Sequence, residues 1–148
     1  MKLHIELIPK TCWGINLRTK FKKSDWDKIR KSVYEKQNIC CYTCGEKCNS
    51  LDAHEMWEYD EENHIQRLSN IIGVCKSCHN AIHYGRAQKT GHEREAREQF
   101  IKVNNCEIYD FQDELLKVKD DYYRRSRIED WELDLSYIEK QGYSVNKD

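Results

Sequence analysis

The chain has only one proline, Pro9, and six glycines among 148 residues. That scarcity excludes a proline- or glycine-rich tether, and no low-complexity tract or internal repeat breaks the chain. No apolar run reaches membrane-spanning length, and Met1 to Lys10 lacks the apolar stretch of a signal peptide. With 39% hydrophobic and 34% charged residues, the expectation is one domain, or one domain with an appended arm, around a modest core. A core that small gains from a metal staple.

Cysteine is not scarce: there are eight. In the cytosolic, reducing location expected of a chain without a signal peptide or membrane span, clustered cysteines more often bind metal than form disulfides. The net charge is −1 but unevenly spread. Residues 1–36 hold ten Lys/Arg against four Asp/Glu, residues 37–105 eight against ten, and residues 106–148 seven against twelve. The basic first part suits phosphate contact. The plainer account of both ends is a solvated surface with an acidic tail.

Leu3, Ile5 and Leu7 alternate with polar residues, which reads as a short strand ended by Pro9. Trp13-Gly14 marks a turn. Ser24 is the expected N-cap of a helix over 24–38, with Trp26, Ile29, Val33 and Tyr34 at helical spacing. Cys40 to Cys48 is compact and turn-rich. Strands are expected over Leu51–Tyr59 and Ile65–Val74 across the polar turn 60–63, then a short helix over Lys76–Tyr84 stopped at Gly85. Residues 93–104 and 110–127 suit helices. The alternation of Trp131, Leu133, Leu135 and Tyr137 fits a strand or an extended arm, and 138–141 a last turn.

Two Cys-x2-Cys pairs, Cys41/Cys44 and Cys75/Cys78, are the strongest local signal. Each can place two thiolates on one knuckle, and two knuckles make a tetrahedral zinc site. The thirty residues between them exceed a usual zinc-ribbon gap, so the strand–turn–strand lies between the knuckles as a folded insert. Cys40-x3-Cys44 and Cys44-x3-Cys48 compete for the first pair. Cys41-x2-Cys44 is preferred because Gly45 follows and relieves a tight knuckle.

Four of the six histidines, His54, His64, His79 and His83, fall in the insert or its helix. His79 and His83 are four apart and share a helix face, so they can hold one ion. His54 lies on the first strand beside Asp52 and Glu55, and Asn70 on the second. Together they can converge on a divalent cation that stabilises a scissile phosphate while an imidazole or carboxylate activates water.

The segment Cys41 to Gly85 resembles the HNH endonucleases. The string is Cys41-x2-Cys44-Gly45, Leu51-Asp-Ala-His54-Glu55, Asn70-x4-Cys75 and Cys78-His79-Asn-Ala-Ile-His83, about a third of the chain. Trp13-Gly14 to Arg18, the helix from Trp26, and Trp131 to Leu135 are similar to a bacterial and phage subgroup of that family. The resemblance implies an α+β fold: a ββα-metal core with four-cysteine zinc knuckles, flanked by an N-terminal helix and C-terminal helices. It divides the chain into a basic segment 1–39 packed on the core, the HNH/zinc part 40–90, and a helical acidic segment 91–148. The chain departs from the family's usual Asp-His or His-His at the first strand by having Ala53-His54-Glu55. In one register His54 is the general base. In the other, favoured by the apolar positions Leu51 and Met56, His54 is a metal ligand and Glu55 stands where the base belongs.

The function implied is a metal-dependent endonuclease acting on nucleic acid, with double-stranded DNA the expected substrate. Cys41, Cys44, Cys75 and Cys78 would hold structural zinc. His54, His79 and His83 would hold a catalytic cation, Mg, Mn, Ni or Zn, and His54, Glu55 and Asn70 would form the catalytic set. Lys20, Lys22, Lys23, Lys28, Arg30 and Lys31 would contact phosphates. The setting is the cytoplasm of a bacterial or phage-infected cell, with no membrane partner. The alternative is an inactive zinc-stabilised module that binds nucleic acid, or an inhibitor-type module whose acidic C-terminal segment meets a basic protein.

Overall fold

The computed structural model describes residues 1–145. Two long strands, β1 (Asp52–Asp60) and β2 (Ile65–Val74), pair antiparallel from Asp52 opposite Val74 to Asp60 opposite Ile65. The turn between them is locally satisfied. The Asp60 carboxylate accepts the backbone N–H groups of Glu62 and Asn63 at 3.1 and 2.9 Å, and His64 closes the loop at φ 56°.

The register shifts between Met56 and Trp57. Before that shift, strand alternation divides β1 cleanly. Asp52 and His54 face the helix that follows β2, and Met56 packs on one core cluster. Ala53 packs on the other, as does Trp57 just past the shift.

β2 sits between those two clusters. Ile72 and Val74 join Leu3, Ile5, Ala81, Phe100 and Phe111 on one side, while Leu68 and Ile71 join Leu17, Phe21, Trp26, Ile29, Leu135 and Ile138 on the other. Burial on both faces explains the nearly unbroken apolar run Ile71–Val74. Helix α1 (Leu17–Lys20) leads into α2 (Lys23–Lys36), which lays Trp26 and Ile29 against the sheet. α2 starts before the expected Ser24 cap. Its first bond, Trp26 N–H to Lys22 C=O at 2.9 Å, makes Lys22 the N-cap, with no side-chain cap.

After β2 come α3 (Lys76–Ile82) and α4 (Tyr84–Thr90), separated by His83 at φ −91°, ψ 55°. The expected stop at Gly85 is therefore corrected: the chain bends two residues earlier and winds on. Gly91, at φ 81°, ends α4 in the left-handed conformation that glycine adopts without steric cost. α5 (Glu93–Asn104) and α6 (Ile108–Arg125) follow, the second started by reciprocal capping between Glu107 and Asp110. The Trp131 stretch supplies β3 (Glu132–Asp134), parallel to β2 at Ile65–Arg67, before α7 (Ser136–Glu139).

Residues 3–7 form no strand. Leu3 and Ile5 are buried, as their alternation requires, but the backbone is satisfied by side chains instead of a ladder. Asn104 Oδ1 accepts the N–H groups of Lys2 and Leu3, a Glu114 oxygen accepts that of Ile5, and Glu6 N–H donates to Ile82 C=O. The architecture is mixed α+β, with the three-stranded sheet ordered β1-β2-β3. The segments 1–39, 40–90 and 91–148 share one core cluster through Leu3, Ile72 and Phe100, so they are parts of one unit. The last three residues of the third segment, 146–148, lie outside the described residues. Among the described residues no helix is long and apolar enough to cross a membrane.

Candidate metal centre

Cys41, Cys44, Cys75 and Cys78 place their sulfurs within 4.8 Å of one another. Cys41 and Cys44 ride a tight turn in which Gly45 N–H donates to Cys41 C=O at 2.9 Å and Gly45 sits at φ 78°, the backbone freedom that favoured this register. Cys75 is the N-cap of α3, accepting the Cys78 N–H at 3.4 Å. The Cys44–Cys75 sulfur separation is 3.9 Å. A disulfide needs about 2.05 Å, whereas the edge of a tetrahedron of sulfurs at about 2.3 Å from an ion is about 3.8 Å.

The four can therefore hold a metal ion, and no disulfide forms among the described residues. The competing Cys40 and Cys48 turn to the carbonyls of Asn38 and Glu46. Hydrogen bonding from Cys78 pulls the Cys41 thiol well below its ordinary range, and burial pushes Cys44 up. Crowded thiols of this kind ionise together only beside a cation. Gln99 also donates to Cys78 Sγ at 3.3 Å.

A second cluster joins His54, His79 and His83, whose ligand atoms also lie within 4.8 Å. Ring centroids are 5.5 Å apart for His54–His79, 5.0 Å for His54–His83 and 4.9 Å for His79–His83. β1 supplies the first ring. α3 supplies His79, and its C-cap supplies His83 one turn later, with His83 N–H donating to His79 C=O at 3.0 Å. His54 is 2% exposed. Its Nε2 is held by the Glu6 carboxylate, and its Nδ1 is buried with no partner. His79 Nδ1 bonds Asp52 at 3.1 Å.

Burial, with the nearby imidazoles and Arg86, pushes His83 down to about 2, and burial chiefly lowers His79 as well. Both rings are therefore neutral at neutral pH, the state in which imidazole ligates metal. An orphaned buried nitrogen beside two neutral imidazoles fits a divalent cation.

His79 and His83 line a cleft. One lobe, about 420 Å³, is lined by Glu55, Gln66, His79, His83, Arg18 and Arg86 among others. Glu55 lines the same lobe from the face of β1 opposite His54. Burial raises the Glu55 carboxyl above its ordinary range.

Asn70 is not brought to this cluster. Its Oδ1 accepts the Tyr137 hydroxyl at 2.9 Å and the Ile71 N–H at 2.8 Å, so it ties β2 to α7. Lys22, Lys23, Lys28 and Lys31 are exposed and Lys20 is half-buried. Arg30, bonded to Asp27 at 3.1 Å, is the member of the basic set that turns into the cleft. His64 pairs with Asp130, away from the site. Glu6, Arg18 and Arg86 went unremarked as site residues in the sequence because nothing local marks them. They are supplied by the N-terminal segment, α1 and α4. No protein-family model, no curated protein and no solved structure matches the chain.

Proposed function

We propose that this chain is a metal-dependent nuclease of the HNH type, a ββα-metal fold braced by a structural zinc, that hydrolyses phosphodiester bonds in nucleic acid, double-stranded DNA first. The observation that carries the reading is the meeting of His54 with His79 and His83, the last two of which line a cleft that also bears Arg18 and Arg86. The strand–strand–helix that supplies them is stapled by the four cysteines at the base of α3.

In this account Cys41, Cys44, Cys75 and Cys78 hold zinc, and His54, His79 and His83 hold the catalytic divalent cation. That ion supplies Lewis-acid stabilisation of the charge on the phosphate and its leaving oxygen. His54 serves as a ligand and not as the base, because a ring 2% exposed with one nitrogen held by Glu6 has no access to substrate water.

The base is Glu55, which lines the cleft. It takes the proton from water as the water oxygen bonds to phosphorus and the bond to the leaving oxygen breaks. Arg18 and Arg86 hold the non-bridging oxygens, each through a planar fork of donors suited to phosphate. Asp52 orients His79, and Glu6 orients His54.

The test is supercoiled plasmid incubated with Mg, Mn, Ni, Zn or no added ion, using native protein and His79→Ala. Ion-dependent nicking by the native chain is expected. It should vanish in the variant, whose zinc content and circular dichroism stay native. No cleavage of DNA or RNA with any ion would overturn the reading and leave the frame as a nucleic-acid-binding module.

A further inference from the structure

Beyond the lobe that holds Glu55 and His83, the cleft continues into a second lobe of about 430 Å³ lined by Arg18, Arg30, Arg86, Trp26, Tyr34, Asp52 and His79 among others. The two lobes share Arg18, Trp26, Ala53, His79 and Arg86, so His79 stands at their junction. The three guanidiniums come from α1, α2 and α4, far apart in sequence. Their convergence is made by the fold and is not a local charge run.

The charges in this lobe are not balanced from within. Asp52 is the one carboxylate in its lining and already accepts from His79. Arg30 pairs with Asp27 at 3.1 Å. Among the described residues Arg18 and Arg86 form no ion pair. Arg18 and Arg86 line both lobes and each guanidinium carries five donors, so beside a phosphate at the histidine cluster they keep donors for a second oxyanion, which Arg30 completes.

We infer that the lobe bearing Arg30 and Tyr34 is a second phosphate subsite, which takes a phosphate neighbouring the one at the histidine cluster. The preferred substrate is then a nucleotide chain that presents two successive phosphates, not an isolated phosphodiester. Naming the ligand as nucleic acid rests on the nuclease reading above; the need for an oxyanion rests on the arginines alone. The second phosphate is either internal to the backbone or a terminal monoester, and both offer the same oxygens.

The experiment titrates native protein, Arg30→Gln and Arg30→Lys with a single-stranded tetranucleotide, with and without a 5′-phosphate, and no added divalent ion. Metal content and circular dichroism are checked for each chain. Arg30→Gln is expected to weaken binding about tenfold and to lower the slope of log affinity against log salt by about one. Arg30→Lys, which keeps the charge and serves if the glutamine variant fails to fold, is expected to retain the slope while losing part of the affinity. Equal loss on both probes makes the occupant an internal backbone phosphate, and loss confined to the phosphorylated probe makes it a terminal one. Native affinity and slope in Arg30→Gln, or in Arg30→Ala should the glutamine variant not fold, would overturn the subsite even if the native chain nicks plasmid. Arg30-dependent binding by a chain that cuts nothing would sustain the subsite and overturn the nuclease.

Discussion

Gln37, just past the end of α2, joins the two halves of the cysteine site without touching a sulfur. Its side-chain N–H donates to Cys40 C=O at 2.9 Å and Gly73 C=O at 2.8 Å, and its oxygen accepts Gly73 N–H at 2.9 Å. It can come this close because residue 73 is glycine: a Cβ there would stand 2.8 Å from Tyr34 and 3.1 Å from the Gln37 amide. Gln37→Met keeps the length and removes all three bonds. Gly73 C=O retains Tyr42 N–H at 2.9 Å, so the large loss is the buried Gly73 N–H. Leaving it unpaired costs about 1–3 kcal/mol, and the lost carbonyl contacts bring the total to roughly 2–4 kcal/mol. In a chain of this size that is a drop of roughly 5–15 °C in Tm. Gly73 lies two residues before Cys75 and Cys40 directly before Cys41, so the variant should also release its cysteine-bound metal to a chelator faster. The assay is thermal unfolding of metal-loaded protein alongside the chelator release rate. Stability within about 0.5 kcal/mol of native, with an unchanged release rate, would refute the reasoning.

Glu6→Gln should weaken ion binding at the histidine cluster roughly 10–100-fold while the cysteine-bound metal stays. Titration calorimetry with nickel checks it, and native affinity would show that Glu6 does not set the His54 ring. Asn70→Ala removes the acceptor of the half-buried Tyr137 hydroxyl and should cost about 1–2 kcal/mol in urea unfolding. Its ion affinity should remain native; loss of ion binding would mean that Asn70 serves the metal. Phe100→Ala empties a fully buried site whose ring meets Phe111 edge-on at 5.3 Å. It should cost about 3–5 kcal/mol by chemical denaturation, and a cost below about 1 kcal/mol would contradict the packing described.

What the sequence made legible was what spacing encodes. The two Cys-x2-Cys pairs, the four-residue gap from His79 to His83, and the hairpin around the Asp60 turn are all local patterns, and each was found where the residues imply. Spacing alone could not choose among Cys40, Cys41, Cys44 and Cys48. That choice depends on which sulfurs the turn at Gly45 swings inward. The alternation at Leu3 and Ile5 reported burial faithfully but not pairing, since Asn104 and Glu114, a hundred residues on, take the backbone bonds. Glu6 and Gln37 touch partners on other elements, and Arg18 and Arg86 come together only in the folded cleft, so no window of sequence contains them with their neighbours. Asn70 is the converse. Its place in the motif suggested a role at the site, and a hydroxyl 67 residues away holds it elsewhere.

The most direct test of the two-cluster account is metal counting by native mass spectrometry, on protein loaded with zinc and then titrated with nickel, for the native chain and for His79→Ala with His83→Ala. The account predicts two ions on the native chain, one on the cysteines and one on the histidines, and one retained ion on the doubly substituted chain. A single ion on both chains would contradict it.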